Sequence, residues 1–246
     1  MSAWAPVQIG MPRIGRAQPF GPNGEPSAID KHPVAQPLWL GPMGLAGDDH
    51  GDTVHHGGAD KALHHYAQEH YAGWHQDLPL VPEQRWQAGG FGENIATLGL
   101  IECDICIGDI VRLGKAVLQV SQARQPCWKL NLRFACDDMA RRVQSSGRTG
   151  WYYRVLEAGE IAPGDELRLI DQPHGQWPLS RLLHHFYIEP LDRDALAAIA
   201  ALEVLAPSWR QIAAQRLKTG GVEDWSRRLD TPGAAKDQGA IDGADR

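Results

Sequence analysis

The stretch Ile107-Gly-Asp-Ile-Val-Arg-Leu-Gly114-Lys115-Ala-Val-Leu-Gln-Val120 decides the fold class. Alternating apolar residues on either side of Gly114-Lys115 predict two strands joined by a tight turn. Two more strands are expected from Tyr152 to Leu156 and from Glu166 to Ile170, the latter entered through Pro163-Gly-Asp165. A Gly-Asp pair precedes a strand at both 108–109 and 164–165, which is consistent with a repeated hairpin. Two helices are expected to interrupt the sheet. One runs from Ala59 to Leu78, with Ala62, Tyr66, Tyr71 and Trp74 near one face. The other runs from Asp137, as its N-cap, to Ser145, and stops at Gly147. Many short strands with two inserted helices predict a compact barrel over residues 1–176, mainly β with helices and therefore α+β in class.

Beyond residue 176 the pattern turns helical. Ser180 is expected to cap a short helix that ends before Pro190. Asp192 is expected to cap a second helix from Arg193 to Leu205, with Leu196, Ile199 and Leu202 about one turn apart. Pro207-Ser208 opens a third, with Trp209, Ile212, Ala213 and Leu217 on one side. Three short helices over residues 177–229 bury little core by themselves, so the module is expected to dock on the barrel or on a partner. Residues 230–246 are Gly, Ala and charge, the composition of a disordered tail.

Composition narrows the function classes. Among 246 residues, 43% are apolar, with 27 Gly and 17 Pro, which suits a turn-rich β fold. A net charge of −6 argues against a general binder of nucleic acid polymers, which needs a basic surface to displace counterions. The start, Met1-Ser-Ala-Trp-Ala-Pro-Val, lacks the pattern of a signal peptide. No run of about 18 apolar residues is present to span a membrane. Four cysteines, at 103, 106, 127 and 136, are too few and irregular for a disulfide framework, so a soluble cytoplasmic protein with reduced thiols is expected.

Cys127 is the leading chemical candidate. It follows Pro126 in a loop after a strand ending near Ser121, between Arg124 and Lys129. Cationic neighbours stabilise a thiolate, the form that attacks electrophiles or ligates metals. A buried core cysteine with unrelated charges nearby is the competing reading. His55-His56-Gly57-Gly58 either lets the backbone approach an anion or forms a flexible turn. Phe91-Gly-Glu93-Asn94, followed by Thr97, either orients a polar ligand or makes an Asx-type turn. Cys103-x-x-Cys106 has no second pair, and on a strand the two would face opposite ways, which weighs against structural zinc. Phosphate-loop, dinucleotide and nucleophile-elbow glycine motifs are absent from the sequence.

Six strings share an order: Ser27-Ala-Ile-Asp-Lys31, Gly44-Leu-Ala-Gly-Asp48, His56-Gly-Gly58, Phe91-Gly-Glu-Asn94, Gly108-Asp109 and Gln122-Ala-Arg-Gln-Pro-Cys127. In this order and spacing the chain resembles the MOSC domain, named for the C-terminal domain of molybdenum cofactor sulfurases. Its stand-alone YiiM-like branch also carries a three-helix C-terminal extension. The resemblance reaches to about Leu229. It implies a MOSC-type β-barrel followed by a small three-helix module, and a molybdenum cofactor held as Mo-molybdopterin. Carried over, Cys127 would ligate molybdenum, and Lys31, His56, Gly57, Gly58, Asn94, Thr97 and Arg124 would line the pterin, its phosphate or the substrate. The family often has Pro-Arg where this chain has Ala123-Arg124, a departure that loosens the loop but keeps the arginine.

The implied activity is reduction of N-hydroxylated compounds, such as hydroxylamino base analogues, to amines, a detoxifying oxidoreductase reaction. The chain shows no flavin or iron–sulfur motif of its own, so a separate flavin or iron–sulfur protein would donate the electrons. Two other readings stand beside it. Cys127 could carry sulfur as a persulfide, or the domain could bind and deliver the cofactor without catalysis, its helices docking the recipient. The sequence assigns no oligomeric state.

Overall fold

In a computed structural model of the chain, residues 4–51 and 57–233 are described. The expectations for His55 and His56, and for the tail from residue 234 onward, fall outside them.

Five short strands open the chain: β1 (Val7–Gln8), β2 (Arg13–Ile14), β3 (Gln18–Pro19), β4 (Pro26–Ser27) and β5 (His32–Pro33). A hairpin of β6 (Leu38–Gly41) and β7 (Gly44–Leu45) follows, then a 3-10 turn over Ala59–Lys61, β8 (Leu63–Ala67), α1 (Glu69–Asp77) and β9 (Ile95–Thr97). The expected hairpin is β10 (Ile110–Leu113) and β11 (Ala116–Ala123), in antiparallel register with Leu113 opposite Ala116. Next come α2 (Lys129–Phe134), α3 (Met139–Ser146), β12 (Trp151–Glu157), β13 (Gly159–Ile161) and β14 (Glu166–Asp171). The C-terminal helices are α4 (Leu179–Tyr187), α5 (Arg193–Ala201), α6 (Pro207–Thr219) and the single turn α7 (Ser226–Leu229).

Seven strands form one nearly closed barrel sheet in the order β1-β14-β10-β11-β12-β8-β9. All neighbours are antiparallel except β8 and β9. The α+β barrel with C-terminal helices is therefore the observed architecture. Its core joins barrel residues such as Leu118, Val120, Trp151 and Tyr153 to Leu182, Phe186, Ile199 and Trp209 of the helices. A second cluster, with Tyr66, Trp74, Trp86, Phe91 and Phe134, packs beneath α1 and α2. The register of β11 against β12 slips between Val120 and Gln122. At that bulge Ser121 accepts the Ala206 N–H at 2.9 Å, so the helical module docks where the sheet is locally deformed.

Several local expectations are corrected. Residues 59–78 do not form one helix: the 3-10 turn and β8 occupy its first half. All five residues of β8 are buried, because β12 and β9 flank it and both faces are covered. A strand buried on both faces loses its alternation, and aromatic spacing then imitates a helix. Tyr66 and Trp74 still meet, the Trp74 Nε1–H donating to the Tyr66 hydroxyl at 2.7 Å. Helix α3 starts at Met139 with Asp138, not Asp137, at the cap position, and Asp138 bonds Arg142 instead of the helix end. Helix α4 begins at Leu179 after Pro178, so Ser180 lies inside it. Asp192 does cap α5, accepting from the Asp194 and Ala195 N–H groups, but that helix ends at Ala201 rather than Leu205. Helix α2 went unforeseen.

Candidate functional site

Strand β11 leads into the loop that carries Cys127. After Ala123 the Arg124 N–H donates to the Gly150 carbonyl at 2.9 Å, which carries the ladder one residue past the strand. The chain then turns through Gln125 and Pro126 to Cys127, whose carbonyl accepts from Leu130 N at 3.0 Å as α2 begins. Gly150 has φ +69°, and a Cβ there would stand 2.4 Å from the His65 carbonyl, so the close approach of β8 and β12 requires glycine.

Cys127 is half-buried and borders a cleft of about 600 Å³, counted out to its solvent mouth. Arg124 and Lys129 lie on the cysteine side, Lys31, Asp48 and Asn94 line it as well, and His64 and Tyr152 complete it. Lys61 joins the lining, which makes four cations against the carboxylates of Asp48 and Asp49. Asp48 is already engaged: it pairs with Lys31 and accepts from Gly15 N at 2.8 Å and Asn94 Nδ2 at 2.7 Å. The residual field at the cleft is positive.

Two side chains of the lining carry buried polar atoms without a hydrogen-bond partner among the described residues. Arg124 is buried, and its Nη1 has no partner among the described residues. His64 is buried as well, stacked on the Tyr152 ring at 4.7 Å, and its Nε2 likewise has none among them. Burial, together with the Arg124 charge, holds the His64 pKa well below its usual value, so the ring is neutral. Burial raises the pKa of the Tyr152 hydroxyl. Because unpaired buried polar atoms are costly, a neutral imidazole nitrogen beside an arginine donor suits a ligand edge that both donates and accepts.

The expected residues separate into groups. Cys127, Arg124, Lys31 and Asn94 come together at the cleft. Asn94, however, is spent on the scaffold: its Oδ1 accepts from His64 N at 2.9 Å and its Nδ2 donates to Arg13 O and Asp48. Thr97 lies elsewhere, fully buried in β9, its hydroxyl bonded to His65 Nε2 at 2.8 Å. Gly57 and Gly58 are not in the described lining, although Lys61 at the end of the following turn is. Glu93 is internal too, accepting from Tyr71 Oη, Gly89 N and Phe91 N, and burial raises its pKa. Cys103 is exposed and Cys106 buried.

Asp48, His64, Tyr152 and Lys129 were not anticipated at the cleft. Asp48 stands in one of the six strings and Lys129 flanks Cys127, so a signal existed for both. His64 and Tyr152 carry none, since they meet only because β8 pairs with β12, with Tyr152 opposite His64.

The comparisons with known proteins agree with this architecture. The MOSC domain profile matches residues 52–168, and the profile of the YiiM-like, 3-alpha helix domain matches residues 177–220. Protein YiiM of Escherichia coli (strain K12) is 38% identical over 215 residues, covering 87% of this chain and 95% of that protein. A protein named reductase from Gibberella moniliformis is 34% identical over 209 residues, 84% of this chain but 37% of the fungal protein. The crystal structure of YiiM from Escherichia coli superposes with a TM-score of 0.74 at 33% identity, covering 87% of this chain and 98% of that one. With the barrel, the docked helices and these matches together, the chain belongs to the MOSC domain family, in the branch that carries the YiiM-like three-helix domain.

Proposed function

We propose that the protein is an oxidoreductase that uses a molybdenum cofactor to reduce N-hydroxylated compounds to amines. One observation carries the reading: Cys127 shares a positively charged cleft with His64 and Arg124, whose buried Nε2 and Nη1 lack partners among the described residues. That donor set fits a phosphorylated pterin with a thiophilic metal. A thiolate suits molybdenum, a guanidinium and lysines suit phosphate, and the His64–Arg124 pair suits a pterin or amidine edge. The MOSC family is associated with the molybdenum cofactor, and one relative is named a reductase.

The bound cofactor would supply the two-electron chemistry by which an N–OH group, two electrons and two protons become N–H and water. The chain's own groups bind and orient. Cys127 Sγ would hold the metal, while Lys31, Lys61 and Lys129 neutralise the anionic end of the ligand. Neutral His64 accepts a hydrogen bond at Nε2, and the Arg124 guanidinium donates beside it. Tyr152 and Phe91 add aromatic surface to the lining. Electrons would come from a separate flavin or iron–sulfur protein, and the reaction would suit a cytoplasmic detoxifying role.

The test is metal analysis of freshly isolated protein together with turnover of a hydroxylaminopurine, using reduced viologen as donor. About one molybdenum per chain is expected, and Cys127→Ser is expected to lose both metal and turnover. Full turnover by metal-free protein would sink the proposal. A labile sulfur adduct on Cys127 in protein without molybdenum would favour sulfur transfer instead.

A further inference from the structure

We infer that the turn α7 is a strap that positions Cys127, with Arg228 as its positioning residue. Both backbone neighbours of the cysteine are bound by this one residue. The Trp128 N–H donates to the Arg228 carbonyl at 2.8 Å. The Arg228 Nη1 donates to the Pro126 carbonyl at 2.5 Å. Pro126 has no N–H of its own, so the loop enters the cysteine with one fewer donor, and the guanidinium supplies an outside anchor.

The strap is itself held from several sides. Arg228 Nη2 donates to Gln144 Oε1 on α3 at 2.5 Å, and its guanidinium lies 6.0 Å from the Tyr187 ring centroid on α4. Asn131 on α2 donates to the Leu229 carbonyl at 2.9 Å while its Oδ1 accepts the Ala140 N–H of α3 at 2.8 Å. Leu229 is buried. Upstream, buried Arg216 grips Glu223 through two bonds of 2.9 and 2.7 Å. The segment from Glu223 to Asp230 is thus tied both to α6 and to the cysteine loop. It lies beyond the 177–220 match to the three-helix domain. A loop is only as ordered as its backbone partners make it, and a metal ligand or nucleophile must be held closely in place.

The inference concerns the cysteine of the proposed site, but its test uses metal-free protein. Absence of molybdenum would therefore defeat the functional reading and leave this one standing. The cysteines supply internal references: Cys103 is exposed, and Cys106 is buried and reports global unfolding. In Arg228→Ala, iodoacetamide labelling of Cys127 relative to Cys103 is expected to rise about threefold or more as the loop opens locally, with Cys106 still protected. Amide exchange over residues 126–129 should accelerate in parallel. If Arg228 merely tethers the terminus, exchange will rise over 225–231 alone and Cys127 labelling will stay at the wild-type ratio, which overturns the inference. Should Arg228→Ala label at Cys106, Arg228→Lys decides, since it keeps a donor for one acceptor only. An intermediate Cys127 ratio is then expected, and a wild-type ratio overturns the proposal.

Discussion

At the scale of single residues, the strings that pointed to the family mix groups that line the cleft with internal ones. Cys127, Arg124 and Lys31 face the cleft, while Glu93 and Asp109 are buried inside the fold. Asp109 is fully buried, accepts from Cys106 N at 2.9 Å and Gln172 Nε2 at 3.2 Å, and its Oδ1 has no partner among the described residues. Burial pushes its pKa up to about 6. A carboxyl raised in the folded state favours the protonated form, so its stabilisation is fully present below about pH 4 and is lost as the pH rises through about 6. Asp109→Asn keeps the acceptor without the charge. It is expected to raise the melting temperature at pH 8, by up to about 2–3 kcal/mol in stability, and to change little at pH 4. A loss of stability at pH 8 in thermal melts would contradict this account.

Among elements, those with a one-sided apolar pattern were legible and those buried on both sides were not. The β10–β11 hairpin follows the sequence closely because its Gly114-Lys115 turn and alternating residues agree. Strand β8 escaped notice, as did α2, a helix of six residues whose side chains Leu130 and Phe134 are claimed by the aromatic cluster. The C-terminal helices were legible as amphipathic elements that must dock, but which surface takes them was not: they pack on the barrel. Trp209 of α6 is buried against Phe186 of α4, with ring centroids 4.4 Å apart. Trp209→Ala should therefore cost about 3–5 kcal/mol, read as a lower denaturation midpoint in urea. A cost under about 1 kcal/mol would mean that the site collapses around the truncation.

For the molecule as a whole, barrel and helices share one apolar core. Unfolding is accordingly expected as one transition, with tryptophan fluorescence and far-ultraviolet dichroism coinciding. Two separated transitions would show that the helical module is an independent unit. None of the described helices is long and apolar enough to cross a membrane. By itself the sequence determined the hairpin, the α+β class, the ordered strings of the family and the loop that carries Cys127, because each is written in neighbouring residues. Only the tertiary structure decided what surrounds that cysteine. Lys31 meets Asp48, His64 meets Tyr152, and Arg228 reaches Pro126 across gaps of 17 to 102 positions that no local pattern encodes. Those contacts depend on sheet pairing and helix docking, where burial and hydrogen-bond satisfaction, rather than sequence spacing, choose the neighbours.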